Sequence, residues 1–169
     1  MFKKFLISIL LGLFVAACAS TPKDTADTSG SGSSGTFNST TSSEEGESIT
    51  PGSQEDLIVN VGDRVFFDYD SFDLDSDAQE LLQDQAAWLK QHSSVGVTIE
   101  GHCDERGTRE YNLALGERRA NAAKDYLMTY GVSGKRISVI SYGKERPVNP
   151  ANSPLAWSQN RRAVTVKQN

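Results

Sequence analysis

The chain has 169 residues, which is enough for one domain of ordinary size together with additional segments. Its formal net charge of −5 at pH 7 excludes the strongly basic surface that nucleic-acid binding requires. The acidic excess lies mainly in residues 18–56, which contain seven acidic residues and one lysine, whereas residues 57–169 are nearly neutral.

The beginning of the chain has the pattern of a secretory signal peptide. Lys3 and Lys4 precede an apolar run, residues 5–17, that ends in small residues. As a helix this run would extend about 20 Å, which is too short for the roughly 30 Å hydrocarbon core of a bilayer. We therefore predict that residues 1–17 are a signal peptide and not a transmembrane helix.

The end of this segment, Val15-Ala16-Ala17-Cys18, resembles the lipid-attachment sequence of bacterial lipoproteins. The alternative is an ordinary signal peptide that happens to contain a cysteine, but the lengths of the regions favour lipidation of Cys18. Several acyl chains on one cysteine anchor a protein stably. Ala19, in place of Asp, implies export to the outer membrane in such lipoproteins. With Cys18 lipidated, Cys103 has no intramolecular disulfide partner.

Residues 18–56 are predicted to carry the lipidated cysteine and a flexible linker. Ser, Thr, Gly and acidic residues dominate this stretch, and Phe37 is its only aromatic residue. It has too little apolar surface to offset the entropy lost on ordering. As a random coil the linker would span roughly 35 Å, with an extended limit of about 125 Å.

From residue 57 the pattern becomes that of a globular domain. Residues 65–69 are aromatic and β-branched, and they predict the first strand. Asp75, Ser76 or Asp77 can cap a helix whose apolar residues recur at helical spacing as far as residue 92. Residues 95–99 predict the second strand.

The second half of the domain continues this alternation. A polar loop, residues 101–109, precedes a long helix over residues 111–130, which Gly131 ends. Residues 137–142 and 163–166 predict two further strands, joined by an extended loop that contains three prolines. The predicted buried stripe of the long helix is Leu113, Ala120, Ala123, Leu127 and Tyr130. The order β-α-β-α-β-β predicts an α/β (α+β) two-layer sandwich with a mixed sheet.

Residues 101–120, GHCDERGTREYNLALGERRA, closely resemble the OmpA C-terminal-like peptidoglycan-binding domain. Residues 141–147 and 160–164 extend the resemblance, which covers residues 57–169. With the lipid-attachment sequence and the linker, the whole chain resembles the lipoprotein family of the Tol-Pal system. The resemblance implies a lipid-anchored protein of the cell outer membrane, with its domain facing the periplasm. It also implies non-covalent binding to peptidoglycan, with TolB as a protein partner, TolA as a further candidate, and a role in envelope integrity and cell division.

Asp104 and Arg119 are the first candidates for ligand binding. Peptidoglycan stem peptides commonly contain meso-diaminopimelate, whose side chain ends in a zwitterion. A carboxylate suits its ammonium group, and the planar guanidinium of arginine suits its carboxylate. The spacing of Asp104 and Arg119 leaves open whether they converge in the fold. The resemblance implies that they do, because the family's ligand-binding Asp and Arg align with them.

Further candidates surround this pair. A second acidic position of the family aligns with Asp70, which Tyr69 and Ser71 flank, and Arg106 is a weaker candidate. The alternative is that Asp104 and Arg119 form a structural ion pair on the surface, where such pairs contribute little.

The sequence gives no support for a metal site, a cofactor or a catalytic centre. Asp73, Asp75 and Asp77 have the spacing of a calcium loop, but Ala78 stands where that loop needs glycine. Adjacent ligands such as His102, Cys103 and Asp104 cannot easily face one ion.

Two rival functions remain open, and a third is disfavoured. The domain could mainly serve a TolB-like protein, with wall binding secondary, or it could be a cell-wall enzyme with an unrecognised site. A flagellar stator can contain a similar domain, but it requires a transmembrane helix, which the sequence does not predict.

Overall fold

The computed structural model describes residues 49–169 of the chain. The predicted signal peptide, the lipidation site Cys18 and the predicted linker as far as residue 48 lie outside the described residues. No helix in the described range is long and apolar enough to cross a membrane.

Four α-helices and four strands make up this part of the chain. In chain order they are α1 (Gln54–Asn60), β1 (Arg64–Phe66), α2 (Ser76–Gln91), β2 (Val97–His102), α3 (Arg109–Thr129), β3 (Ile137–Gly143), α4 (Pro154–Asn160) and β4 (Arg162–Lys167). A single 3-10 turn, Gly134–Arg136, precedes β3.

The strands form one mixed sheet with the order β1-β4-β2-β3. The last strand, β4, lies between β1 and β2 and is antiparallel to both, whereas β2 and β3 are parallel. The predicted two-layer fold with a mixed sheet is confirmed. Because β1, β2 and β3 run in the same direction, their carboxyl ends and the beginning of β4 share one end of the sheet.

The two long helices supply most of the core on one face of the sheet. Asp75 is the N-cap of α2, since its carboxylate accepts a hydrogen bond from the backbone of Ala78 at 2.8 Å. Leu82 and Leu89 of α2 are buried together with Ala120 and Leu127 of α3. The side chains of Val97 and Ile99 on β2 and Ile137 on β3 complete this core.

Helix α3 lies unusually close to β2 at a pair of glycines. A Cβ atom on Gly101 would lie 1.8 Å from the backbone oxygen of Gly116, so neither residue can carry a side chain without moving the helix. This contact decides which face of α3 is buried. Leu115 and Gly116 belong to that buried face. The predicted buried stripe is therefore wrong at its ends, because Leu113 is only half-buried and Tyr130 is 39% exposed.

Helix α1 was not predicted and begins at Gln54, three residues before residue 57. Ser53 caps it by accepting from the backbone of Asp56 at 3.0 Å. The buried carboxylate of Asp56 accepts from the indole of Trp88 at 2.9 Å, and Leu57 is fully buried. The Gln54 side chain accepts from the backbone of Lys167 at 2.6 Å, which fixes the beginning of the fold to the far end of β4.

Helix α4 occupies part of the segment that was predicted as an extended loop. Pro154 lies in its first turn, where a backbone N–H would have no hydrogen-bond partner within the helix, so proline costs no helical hydrogen bond there. Ser153 is the N-cap of this helix. The prolines therefore mark the beginning of a helix as well as a loop, which corrects the sequence-based expectation.

Candidate functional site

A pocket of about 340 Å³ opens at the end of the sheet where β1 and β2 finish and β4 begins. It is lined by Tyr69, Asp70, Cys103, Asp104, Arg106, Gly107, Tyr111, Asn112, Leu115, Arg119 and Arg161. Five of the six predicted ligand-binding residues thus meet at one cavity. The exception is Ser71, which is not among the lining residues.

The loop between β2 and α3 forms one wall of the pocket and is held at several points. The side-chain amide of Asn112 donates to the carbonyl oxygens of Arg106 at 2.8 Å and Thr108 at 3.1 Å. The ammonium of Lys144 donates to the carbonyls of Glu105 at 3.1 Å and Gly107 at 2.7 Å. These contacts place Asp104 and Arg106 against the pocket.

Asp104 is a buried carboxylate whose oxygens are all engaged. Oδ1 accepts from the backbone N–H and from Nε of Arg106, both at 3.1 Å, and Oδ2 accepts from Nη2 of Arg106 at 2.6 Å. Nη1 of Arg161 lies 3.4 Å from Oδ2. Burial raises the pKa of Asp104, but these hydrogen bonds outweigh it and hold the pKa below its usual value. Asp104 is therefore ionised at neutral pH.

The guanidinium of Arg106 lies between two aromatic rings. Its central carbon is 4.1 Å from the centre of the Tyr69 ring and 4.2 Å from that of Trp157. The indole N–H of Trp157 donates to the carboxylate of Glu105 at 2.9 Å, which fixes the ring. Both rings therefore add cation–π attraction to the ion pair that Arg106 makes with Asp104.

Arg119 lies beneath the pocket with a relative exposure of 0%. Its Nε donates to the carbonyl of Ser71 at 2.8 Å and its Nη2 to that of Asp68 at 3.0 Å. Its Nη1 donates to the carbonyl of His102 at 2.9 Å and contacts the sulfur of Cys103 at 3.4 Å. Arg119 thus joins the loop after β1 to the end of β2, and within the described residues it makes no ion pair with Asp104.

The burial of Arg119 has an electrostatic consequence, because it lowers the pKa of the guanidinium from its ordinary value. Ser71 takes part in this arrangement through its carbonyl oxygen, while its hydroxyl donates to Asp73 at 3.0 Å. Ser71 therefore supports the pocket from below.

Asp70 is the exposed carboxylate of the site. Its backbone has a φ of +54°, a left-handed conformation that is uncommon for a residue other than glycine and that concentrates at functional sites. The hydroxyl of Tyr111 donates to its carboxylate, and this hydrogen bond, with some burial, raises the pKa of Tyr111. In contrast to Asp104, Asp70 has most of its acceptor positions open to solvent.

Sequence reasoning missed Tyr111, Asn112, Trp157 and the role of Arg161. Tyr111 and Asn112 belong to the motif that carried the family resemblance, so their position in the first turn of α3 could have suggested them. Trp157 belongs to the unpredicted helix α4, and no sequence signal connected it to Arg106. Arg161 also holds the backbone, because its Nε donates to the carbonyl of Phe67 at 2.9 Å.

The acidic residues that were considered for calcium have structural partners, since Asp73 accepts from the hydroxyl of Ser71 and Asp75 caps α2. Within residues 49–169, no group of three or more His, Cys, Asp and Glu side chains is arranged to hold a metal ion.

The chain is similar to known proteins over most of its length. The profile of the OmpA family matches residues 66–161. The chain is 51% identical over 161 residues to a peptidoglycan-associated lipoprotein of Rhizobium meliloti (strain 1021), an alignment that covers 95% of this chain and 85% of the relative. It is 60% identical over 119 residues to a peptidoglycan-associated lipoprotein of Agrobacterium fabrum, which covers 70% of this chain and 67% of the relative.

Among solved structures, the chain resembles the crystal structure of the peptidoglycan-associated lipoprotein from Burkholderia pseudomallei. The two superpose with a TM-score of 0.61 at 44% sequence identity, over 63% of this chain and 90% of the other.

Proposed function

The chain belongs to the OmpA family and, within it, to the peptidoglycan-associated lipoproteins, and on this basis we propose that it links the outer membrane to peptidoglycan. In this proposal the lipid on Cys18 holds the membrane, the segment between Cys18 and α1 provides reach, and the folded domain binds stem peptides from the periplasm without a covalent bond. Anchoring keeps the effective ligand concentration high, on the order of mM, so that modest affinity for each stem peptide is sufficient.

The observation that supports this proposal most strongly is that one small pocket presents charges of both signs. Asp70 and Asp104 supply carboxylates, and Arg106 and Arg161 supply guanidinium groups. A volume of about 340 Å³ suits a small group such as the end of one side chain, since ligand pockets begin at roughly 300 Å³. The zwitterionic end of diaminopimelate has the complementary charges.

We assign the individual roles by chemistry. Asp104 and Asp70 accept hydrogen bonds from the ligand ammonium, and Tyr69 covers it. The guanidinium of Arg119 has five N–H hydrogens. Its contacts with Ser71, His102, Cys103 and Asp68 use four of them, so one hydrogen on Nη2 remains for the ligand carboxylate. These roles are binding roles, and the proposal involves no catalysis.

A protein partner is the second candidate function. The side chains of Tyr69, Phe72 and Tyr111 are exposed near the mouth of the pocket, and exposed aromatic residues are enriched at protein interfaces. This observation favours a partner such as TolB, and TolA as a further one, as part of the Tol-Pal system in envelope integrity and cell division. In this alternative, wall binding is secondary.

Co-sedimentation with isolated sacculi tests the proposal. We would use residues 18–169 with Cys18→Ser, which cannot be lipidated, and compare Asp70→Asn and Asp104→Asn. Both changes keep the shape of the side chain and remove its charge, so we expect binding to weaken about tenfold or more. Asp73→Asn is the matched control, because Asp73 is exposed on the same loop and does not line the pocket. Arg119 is unsuitable for this test, since removing it would also leave buried carbonyl oxygens without partners.

The outcomes separate the two candidates. Unchanged pelleting of both variants would mean that the wall contact lies elsewhere on the domain. If the unsubstituted chain stayed in the supernatant but bound purified TolB, the partner function would replace wall binding as the main one.

A further inference from the structure

The carboxylate of Asp104 is already saturated in the free protein. A carboxylate offers about four acceptor positions, and Asp104 uses them for three hydrogen bonds from Arg106 and one from Arg161. The residue is only 4% exposed, so no position remains for a further donor from solvent. A ligand ammonium can therefore reach Asp104 only by replacing a donor that is there now.

Arg106 is the donor that can be replaced. Arg161 is also held by the carbonyl of Phe67, whereas the side chain of Arg106 donates to Asp104 alone. The guanidinium of Arg106 is half-buried and lies between the faces of Tyr69 and Trp157. Cation–π attraction depends weakly on rotation within the plane of the guanidinium, so Arg106 can turn away from Asp104 and remain between the two rings.

Building on the proposed function, we infer that Arg106 acts as an internal competitor that makes the pocket select zwitterions over simple amines. The ammonium of the ligand replaces Arg106 on Asp104, and the released guanidinium joins the free Nη2 hydrogen of Arg119 at the carboxylate of the same ligand. Two ion pairs replace one, and no charge is left without a partner.

This exchange explains why both charges on the ligand matter. A side chain that ends in an ammonium alone, such as lysine, would displace Arg106 from the carboxylate it now bonds and would supply no anion in exchange. That cost opposes binding, because an ionised group removed from its partner loses charge-assisted hydrogen bonds. A zwitterionic end, as in diaminopimelate, supplies the replacement anion. Arg106 is thus a specificity-determining residue for the class of stem peptide.

Two synthetic peptides test the inference directly. One is the stem tripeptide ending in meso-diaminopimelate, and the other is the same tripeptide ending in lysine. Their affinities for residues 18–169 with Cys18→Ser would be measured by calorimetry, with and without Arg106→Gln. We expect the chain with Arg106 to prefer the diaminopimelate peptide about tenfold or more. In Arg106→Gln the preference should fall to about twofold, with the lysine peptide binding more tightly than before.

Two further variants make the result specific. Arg109→Gln removes the same charge from an exposed side chain that pairs with Glu145 and does not line the pocket, so it should keep the full preference. Arg106→Lys keeps the charge but lacks the planar fork, so it should give an intermediate preference. Thermal unfolding of each variant checks that the fold is retained.

The inference is overturned if Arg106→Gln weakens both peptides by the same factor, or if the chain with Arg106 binds both peptides equally. Pelleting with sacculi in the same preparation would show that the proposed function survives such a result. If that chain neither pelleted nor bound either peptide, both the inference and the proposed function would fall.

Discussion

His102 is a buried histidine that adjoins the site and has no hydrogen-bond partner on either ring nitrogen among the described residues. It is 2% exposed, and burial, with Arg162 and Arg146 nearby, lowers its pKa to about 4. The carboxylate of Glu100 lies 3.6 Å from Nε2. The imidazole ring is neutral at pH 7, and its centre lies 5.5 Å from the centre of the Tyr142 ring.

This histidine should make the fold sensitive to acid. The folded pKa of about 4 lies below the unfolded value of 6.5, so the unfolded chain binds more protons between these values. The free energy of unfolding is therefore highest above pH 6.5 and decreases as the pH falls towards 4, with a loss of about 2 kcal/mol between pH 7 and pH 5. Urea unfolding of His102→Gln at both pH values should show a correspondingly smaller decrease. An identical decrease in both proteins would rule out this role.

At the scale of single residues, the sequence could predict five of the side chains that line the pocket but not what each one contacts. Asp104 and Arg119 were predicted to hold a ligand, and both line the cavity. Two of the partners of Arg119 are carbonyl oxygens of Asp68 and Ser71, about fifty residues earlier in the chain. Since a carbonyl oxygen belongs to every residue type, no pattern in the sequence identifies such partners.

Between elements, the contact of β2 with α3 sets the position of the pocket floor. Gly101→Ala would place a Cβ atom 1.8 Å from the backbone of Gly116, and backbone cannot yield without moving the helix that carries Arg119. We expect Gly101→Ala to destabilise the fold by about 3 kcal/mol or more in urea unfolding.

Gly116→Ala provides a graded comparison. Its Cβ atom would meet the hydroxyl of Ser141 at 2.4 Å, which can rotate, and the backbone oxygen of Gly101 at 3.0 Å. Alanine also favours the helix by about 1 kcal/mol over glycine, so the net loss should be smaller than for Gly101→Ala. If Gly116→Ala destabilised the fold more than Gly101→Ala, the backbones of β2 and α3 would have to separate easily at Gly101.

Long helices were predictable and short ones were not. Helices α2 and α3 have 16 and 21 residues, long enough for helical spacing to recur over several turns, although the buried face of α3 also carries Asn112 and Arg119. Helices α1 and α4 have 7 residues each, which is fewer than two full turns, so apolar residues cannot recur often enough to reveal a helix. Missing α4 also concealed Trp157, and with it the aromatic pair around Arg106.

For the molecule as a whole, the boundary of the fold lies before residue 57. A chain that begins there lacks the Ser53 cap, the contacts of Gln54 with β4 and the bond from Trp88 to Asp56. We expect its free energy of unfolding to be about 2–4 kcal/mol lower than that of a chain that begins at residue 49. The reason is that a cap and several buried hydrogen bonds are lost together. Parallel urea titrations of both chains measure this difference, and equal midpoints would show that α1 contributes nothing.

The fold places its first residues and its pocket at opposite ends of the sheet. Gln54 is bonded at the end of β4 where Lys167 lies, whereas Asp104 and Arg161 lie at the other. Tension applied between a ligand in the pocket and residue 49 would therefore run along the strands. Hydrogen bonds between strands lie perpendicular to that direction and would be loaded in shear, all at once instead of one after another. A domain pulled in this way is expected to release its ligand before its sheet comes apart.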